Sequence, residues 1–240
     1  MGDAPNSNSR RNFLRSGLIA ISTATLAGDA PALLGNPPAV ATPRFFNDSE
    51  LRFLQAAVER LIPADEKWPG AAEAGVVNYI AIQMAGPWGK GELIYRHGPF
   101  RKGTPSQGYQ LEYTPAELFR RSIVAINAHF SAHGKSFDQL PPAEKDAYLT
   151  SLEKGGIDLD GVPSNTFFDF LLKHTVEGFF ADPTYGGNKN KIAWKMIGFP
   201  GAYSDYYDLI DKHGVELDRE PLGIGDGATP HSMNSMRGGH

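Results

Sequence analysis

The chain has 240 residues, 41% of them hydrophobic and 21% charged, which suits one globular domain with appended segments. Its formal net charge of −4 offers no basic surface, so we do not expect nucleic acid as a partner. There is no cysteine, which excludes disulfides, thiolate zinc sites, iron–sulfur ligation and c-type haem attachment within this chain.

The first forty residues have the pattern of an export signal. Paired arginines precede a short, modestly apolar run from Gly17 to Ala27, and the residues that match the motif are Ser9, Arg10, Arg11, Phe13 and Leu14. This order is typical of the twin-arginine route, which carries folded proteins to the periplasm. The run is shorter than the roughly 20 apolar residues of a membrane span. We expect residues 1–41 to form this signal, with Ala39-Val40-Ala41 as the candidate cleavage box. The alternative is a tail with an accidental arginine pair.

Two helices and a long loop are predicted next. Asn47 and Glu50 resemble a capping box, and the apolar spacing that follows predicts a helix up to Pro63. A second helix is predicted from Glu73 to Met84. Residues 86–110 are rich in glycine, proline and aromatics without a sustained period, which favours an ordered loop, with short strands as an option.

The second half of the chain continues in helices. Thr114, Pro115 and Glu117 form a strong helix start, and that helix is predicted to end at Gly134. Further helices are predicted over 141–153, 164–180 and 203–212, with a short one around the tryptophan at position 194. In helix 164–180 the expected buried side carries Phe168, Leu171, Leu172, Thr175 and Phe179. The predicted fold is mainly α: one helical domain over 42–220 with long Gly/Pro-rich loops, followed by a mobile tail over 221–240.

Motifs that carry chemistry are missing from this sequence. It has no GxGxxG after a strand, no P-loop, no HExxH and no GxSxG. His129 and His133 lie four residues apart and could share a metal ion, but no further ligand stands at a recognised spacing. The other interpretation is two polar positions near a helix end, where histidine suits the helix dipole. We therefore assign no catalytic, cofactor-binding or metal-binding residue to this chain.

The stretch "FFADPTYGGNKNKIAWKMIGFPG", residues 179–201, combines aromatics, paired glycines and lysines. It has three interpretations. The aromatics suit either internal packing or the centre of a protein interface. The glycines followed by Lys189 also suit a loop that binds an anion.

The same stretch, extended to Gly178, closely resembles the characteristic segment of the gluconate 2-dehydrogenase subunit 3 family, the small or γ subunit of membrane-bound flavin dehydrogenases. Three further stretches share the resemblance: "ERLIPADEKWPGAAEAGVVNYI" (59–80), "GPFRKGTPSQGYQLEYTPAELFRRSIVAIN" (98–127) and "FDQLPPAEKDAYLTSLEKG" (137–155). With the twin-arginine pattern, the resemblance extends from Ser9 to about Lys212.

The resemblance implies that the cofactors of the complex lie on other chains. FAD would be held by a large subunit of the glucose–methanol–choline type, and a multihaem cytochrome c would pass electrons to quinone. The small subunit would bind the large subunit and carry it through the twin-arginine translocase to the periplasmic face of the membrane.

With this resemblance, the interpretation of residues 179–201 becomes a mixed one. Phe179 and Trp194 would pack the fold, and the partner interface would consist of Tyr185, Gly186, Gly187 and Lys189. Two other functions stay open at this point. One is a self-contained periplasmic enzyme or metal-binding protein that uses His129 and His133, and the other is a soluble module with an anion site at 185–191.

Overall fold

The computed structural model describes residues 45–101, 103–104, 107–203, 210–214 and 219–226. The chain divides after residue 40 into two units, and every described residue belongs to the second. Within these ranges the protein is mainly α-helical, as predicted. Its elements are α1 (Asp48–Leu61), α2 (Val76–Ala85), α3 (Pro115–Ala132), α4 (Pro142–Glu153), the hairpin β1 (Asp158–Leu159) and β2 (Val162–Pro163), α5 (Ser164–Phe180) and α6 (Ile192–Ile197).

The two predicted capping boxes are present. The Asn47 side chain accepts hydrogen bonds from the backbone of α1, and the Asn47 N–H donates to the Glu50 carboxylate at 2.8 Å. Thr114 and Glu117 make the same reciprocal pair at the start of α3. Because each pair satisfies donors that a helix end leaves free, these short motifs fix where both helices begin.

Helix α5 lies at the centre of the domain, where it packs against α2, α3 and α4. Its buried side meets aromatic rings from several elements; the Phe119 and Phe167 rings, for example, are 5.5 Å apart in an edge-to-face arrangement. At the surface, Arg60 on α1 forms a hydrogen-bonded ion pair with Asp146 on α4 at 2.7 Å.

Several elements differ from the sequence-based expectation. Helix α2 begins at Val76 rather than residue 73, because residues 71–75 form turns and Gly75 has a left-handed φ of 81°. The β1–β2 hairpin was not predicted, since two strands of two residues are too short for an alternating pattern. The loop over 86–110 contains no strand in its described part. Leu172, expected on the buried side of α5, is exposed.

The C-terminal part of the described chain packs against the domain. Leu222 pairs with Gly201, and a short 3-10 helix follows over Ile224–Asp226. Residues 221–226 therefore differ from the expectation of a mobile tail from residue 221. Their backbone finds hydrogen-bond acceptors on distant residues, which no local pattern announces. Most of the predicted helix 203–212 lies outside the described residues, and 210–214 form turns.

In the part of the chain that the structure describes, no helix has both the length and the apolar character needed to cross a membrane.

Candidate partner-binding surface

Residues 181–201 form a compact loop at the end of α5 that is anchored by Asp182. One carboxylate oxygen of Asp182 accepts from the Thr184 N–H at 2.9 Å, and the other accepts from the Ile224 N–H at 2.6 Å. The first bond starts the 3-10 turn Pro183–Tyr185. Asp182 thus fixes the beginning of the loop and joins it to the C-terminal segment.

The paired glycines of the loop, Gly186 and Gly187, face the interior of the domain. A Cβ atom on Gly187 would lie 2.1 Å from the carbonyl oxygen of Gly178 in α5. Gly186 has φ 91°, its carbonyl accepts a hydrogen bond from the Asn78 side chain at 2.9 Å, and a Cβ there would meet Ile82 at 2.5 Å. Both glycines therefore allow the loop to approach α2 and α5 closely.

Asn188 holds the middle of the loop. It is fully buried with φ 45°, its amide donates to the Ala181 carbonyl, and its Oδ1 accepts from the Ala193 N–H, both at 2.9 Å. The next residue, Lys189, donates its backbone N–H to the Ala74 carbonyl at 2.9 Å. Its side chain is exposed.

Trp194 closes the loop against the end of α5. The indole is buried, its Nε1–H donates to the Phe180 carbonyl at 2.8 Å, and the Phe199 ring packs edge-on against it at 5.2 Å. Phe179 is also buried, so both residues expected to pack the fold do so.

The outer face of α5 carries an unusual set of exposed apolar side chains. Leu172, Val176 and Phe180 are spaced by four residues and lie along one line of the helix, in contact with solvent. Charged neighbours Lys173 and Glu177, 3.8 Å apart, share this face. We call the three apolar residues the α5 stripe. The same spacing of four occurs on the buried side of α5, at Leu171, Thr175 and Phe179, so the sequence alone does not identify the stripe.

A shallow cleft of about 470 Å³ adjoins the end of the α5 stripe. Its lining consists of Tyr79, Gln83, Glu177, Phe180, Ala181, Asp182 and Tyr185. Tyr185 at its edge is 52% exposed. Burial, together with the nearby Glu177 carboxylate, raises the pKa of Tyr79 to about 12, so this phenol keeps its proton at neutral pH. The cleft is open, and its lining includes both apolar and acidic residues.

The predicted interface residues thus have different environments. Tyr185 and Lys189 present side chains to solvent, whereas Gly186 is half-buried and Gly187 is buried. The predicted export residues Ser9 to Leu14 lie outside the described residues. His129 and His133 have rings 5.0 Å apart, and a ring nitrogen of His133 is occupied by the His129 carbonyl at 2.8 Å. Among the described residues, no cluster of three or more His, Asp or Glu side chains could hold a metal ion.

A helical domain with an exposed apolar stripe beside an open cleft has the character of a subunit that contacts other proteins. The model of the family described as gluconate 2-dehydrogenase subunit 3 matches residues 48–201, from α1 to the end of the anchored loop. The chain belongs to this family, whose members are subunits of gluconate 2-dehydrogenase complexes. No curated protein and no solved structure gives a match to the chain.

Proposed function

We propose that this chain is the non-catalytic small subunit of an FAD-dependent gluconate 2-dehydrogenase-like complex at the periplasmic face of the membrane. It binds a flavoprotein large subunit of the glucose–methanol–choline type and escorts it through the twin-arginine translocase, and a multihaem cytochrome c completes the complex. Family membership over residues 48–201 carries this proposal. In this assignment FAD and haem c are bound by the other two subunits.

The α5 stripe and Tyr185 supply the contact with the large subunit. Monomeric proteins seldom leave a line of large apolar side chains in water, and such patches mark binding surfaces. Tyrosine and phenylalanine are enriched at the centres of interfaces, where truncation of one residue often costs about 2 kcal/mol or more. The cleft beside Phe180 gives a protruding side chain of the partner a place to bind.

The binding step is tested by co-purification of the large subunit with single variants of this chain. Val176→Asp places a charge in the α5 stripe and is expected to weaken binding at least tenfold, and Tyr185→Ala by tens of fold. Val124→Asp is the matched control, because Val124 on α3 is also an exposed valine, at 52% against 43% for Val176. Equal binding by the two valine variants would contradict the proposed surface.

The escort step is tested by replacing Arg10 and Arg11 together with lysine. We expect active flavoprotein to accumulate in the cytoplasm and membrane dehydrogenase activity to disappear. If the large subunit still reached the periplasm with its usual yield, the escort role would be wrong. Purified alone, the chain is expected to show neither flavin nor haem absorbance, and such bands would contradict the assignment of cofactors to the partners.

A further inference from the structure

A second site lies in the long loop between α2 and α3, away from the loop at the end of α5. It is a pocket of about 330 Å³, lined mainly by Ile94, Tyr95, Arg96, Phe100, Tyr109 and Leu111. This volume is at the lower limit for small-molecule sites, which extend from about 300 to 1,000 Å³. The size suits a single side chain better than a cofactor.

Arg96 is the only residue of this lining for which the structure shows a buried polar atom without a partner. Its Nη2 donates to the Glu112 carbonyl, but its Nε–H is buried and has no acceptor in the part of the chain that the structure describes. A guanidinium has five donors, and an unsatisfied buried donor costs free energy until an acceptor arrives. A carboxylate is the acceptor that best matches the fork of arginine donors.

Charge in this loop points to the same ligand chemistry. Residues 90–102, "KGELIYRHGPFRK", contain four lysines and arginines and one glutamate, a balance of +3 in a chain whose net charge is −4. Hydrogen bonding with Thr114 lowers the pKa of Glu117, and the positive charge of Arg96 adds a smaller effect in the same direction. No ion pair within 4.0 Å joins Arg96 to a carboxylate among the described residues, so its guanidinium is able to pair with an acidic group of another chain.

The rim of the pocket indicates a protein rather than a free acid. Tyr95 and Phe100 line it and are exposed, and Tyr95 is 89% exposed, with the His97 ring 6.3 Å away. Exposed aromatic residues beside an arginine are the composition of interface hot spots. A small carboxylate would leave these rings in water.

We propose that this pocket receives an aspartate or glutamate side chain of the flavoprotein large subunit, which makes the loop a second anchor of the complex. The Arg96 side chain shifts on binding so that its Nε–H donates to the carboxylate, and the Tyr95 and Phe100 rings cover the residues on either side of the acid. The inference rests on the proposed function, because it needs that partner.

The test measures binding of the large subunit to variants of the full chain at low and high salt. Arg96→Gln and Tyr95→Ala are each expected to weaken binding about tenfold or more, and Arg96→Gln also to reduce its salt dependence. Arg52→Gln is the matched control, since Arg52 is an exposed arginine on α1, and it is expected to bind as wild type.

A labelling experiment on the wild-type chain does not depend on how the variants fold. Arg96 is expected to react with phenylglyoxal in the isolated chain and to be protected in the complex, as read by mass spectrometry. Suppose that the wild-type chain binds the large subunit, that Tyr95→Ala binds it equally well, and that Arg96 stays reactive in the complex. That result would overturn this inference and leave the proposed function intact. Failure of the wild-type chain to bind the large subunit would overturn both proposals. If free gluconate protected Arg96 in the absence of the large subunit, the pocket would be a site for a small acid, and the inference of a second anchor would be wrong.

Discussion

Asn188 shows how one side chain can determine the shape of a binding loop. Its side-chain amide joins Ala181, at the start of the loop, to Ala193, in the first turn of α6. Its backbone adopts a left-handed conformation. Asparagine tolerates that conformation better than most residues. The sequence around it reads as an ordinary turn, so its structural importance becomes visible only with the contacts.

We expect Asn188→Ala to lower the free energy of unfolding by about 3 kcal/mol, because it leaves a buried carbonyl and a buried N–H without partners. Asn190→Ala is the control: Asn190 also has positive φ, 58°, but it is exposed. That variant pays only for the backbone conformation, about 1 kcal/mol. Denaturant unfolding of both variants checks the difference, and equal losses would contradict the role given to the bridging amide.

Tyr148 is the opposite case, because its buried hydroxyl lowers the stability of the fold. Its ring packs against Phe130 at 4.9 Å, but its hydroxyl is buried and has no hydrogen-bond partner among the described residues, and burial raises its pKa to about 12. Tyr148→Phe is expected to raise the unfolding free energy by about 1 kcal/mol. Tyr109→Phe is the matched variant, because the Tyr109 hydroxyl donates to the Tyr113 carbonyl. It is expected to lower the unfolding free energy by a similar amount. If both substitutions changed the unfolding free energy in the same direction, the argument would be refuted.

His174 gives the fold a pH dependence. It is buried on α5 beside Trp88, 4.5 Å between ring centres, and Phe119, with its Nδ1–H donating to the Phe170 carbonyl at 2.7 Å. Burial lowers its pKa. The Phe170 hydrogen bond and the Glu177 carboxylate partly oppose this, and the charge of Lys173 adds to it. The unfolded chain therefore takes up a proton at this position before the folded chain does.

Consequently, stability is complete above the ordinary histidine pKa of about 6.5 and falls as pH decreases below it, by at most about 1.4 kcal/mol per pH unit from this one proton. His174→Phe should retain the ring packing and flatten that part of the curve. Unfolding free energies at pH 7.5 and 5.0 for both proteins provide the check. An unchanged slope in His174→Phe would show that other groups cause the acid loss.

At the scale of elements, the close packing of α5 against the loop of residues 181–201 depends on glycine. The Gly187 backbone lies so close to Gly178 that a single methyl group cannot fit. Gly187→Ala is expected to cost about 3 kcal/mol, since backbone must move on both sides. Gly156→Ala is the control, because the nearest atom to its added Cβ, the Ser151 carbonyl oxygen, is at an ordinary 3.5 Å. Thermal unfolding distinguishes the two, and a similar melting temperature would contradict the close packing.

The sequence predicted those elements whose signals are local. Each capping box joins residues three apart in the chain, Asn47 with Glu50 and Thr114 with Glu117. The apolar period of α5 is strong enough to give its bounds, 164–180, without error. Shorter elements have no such period. The turn at Gly75 and the two-residue strands around Asp160 and Gly161 depend on left-handed backbone, which an apolar pattern does not encode.

The candidate site was less predictable because it is made by contacts between distant residues. The burial of Trp194 could be expected from composition, but nothing local shows that Gly187 meets Gly178 or that Leu172 faces solvent. The exposure of the α5 stripe follows from what packs on the other side of the helix. The interface assigned to Tyr185, Gly186, Gly187 and Lys189 stays a prediction, with an internal role now evident for both glycines.

At the scale of the whole molecule, the C-terminal segment extends the domain beyond the matched family region. Leu222 exchanges backbone hydrogen bonds with Pro200 and Ala202, and Asp226 forms an ion pair with Lys191. That ion pair and the hydrogen bond from the Gly223 N–H lower the pKa of Asp226. The segment therefore supports the back of the loop that carries Tyr185.

We expect a chain ending at residue 218 to lose about 2 kcal/mol of stability and to bind the large subunit less tightly, because these bonds disappear. A chain ending at residue 227 keeps every one of them and is the control. Chemical denaturation and co-purification of both truncated chains test this expectation. If the shorter chain were as stable as the longer one, the C-terminal segment would not contribute to the stability of the domain.

The reach of Asp182 to Ile224, across 42 residues of chain, has a consequence for synthesis. Protein chains emerge from the ribosome from the N-terminus onward, so Ile224 becomes available for contacts later than Asp182 does. The carboxylate of Asp182 therefore has no second partner until residue 224 has been synthesised and has left the ribosome. The export signal expected near residue 10 would be accessible before then, whereas the loop acquires its final shape only when residue 224 is available. We expect a product that stalls before residue 224 to bind the large subunit poorly, so that synthesis of the C-terminal segment becomes a condition for assembly.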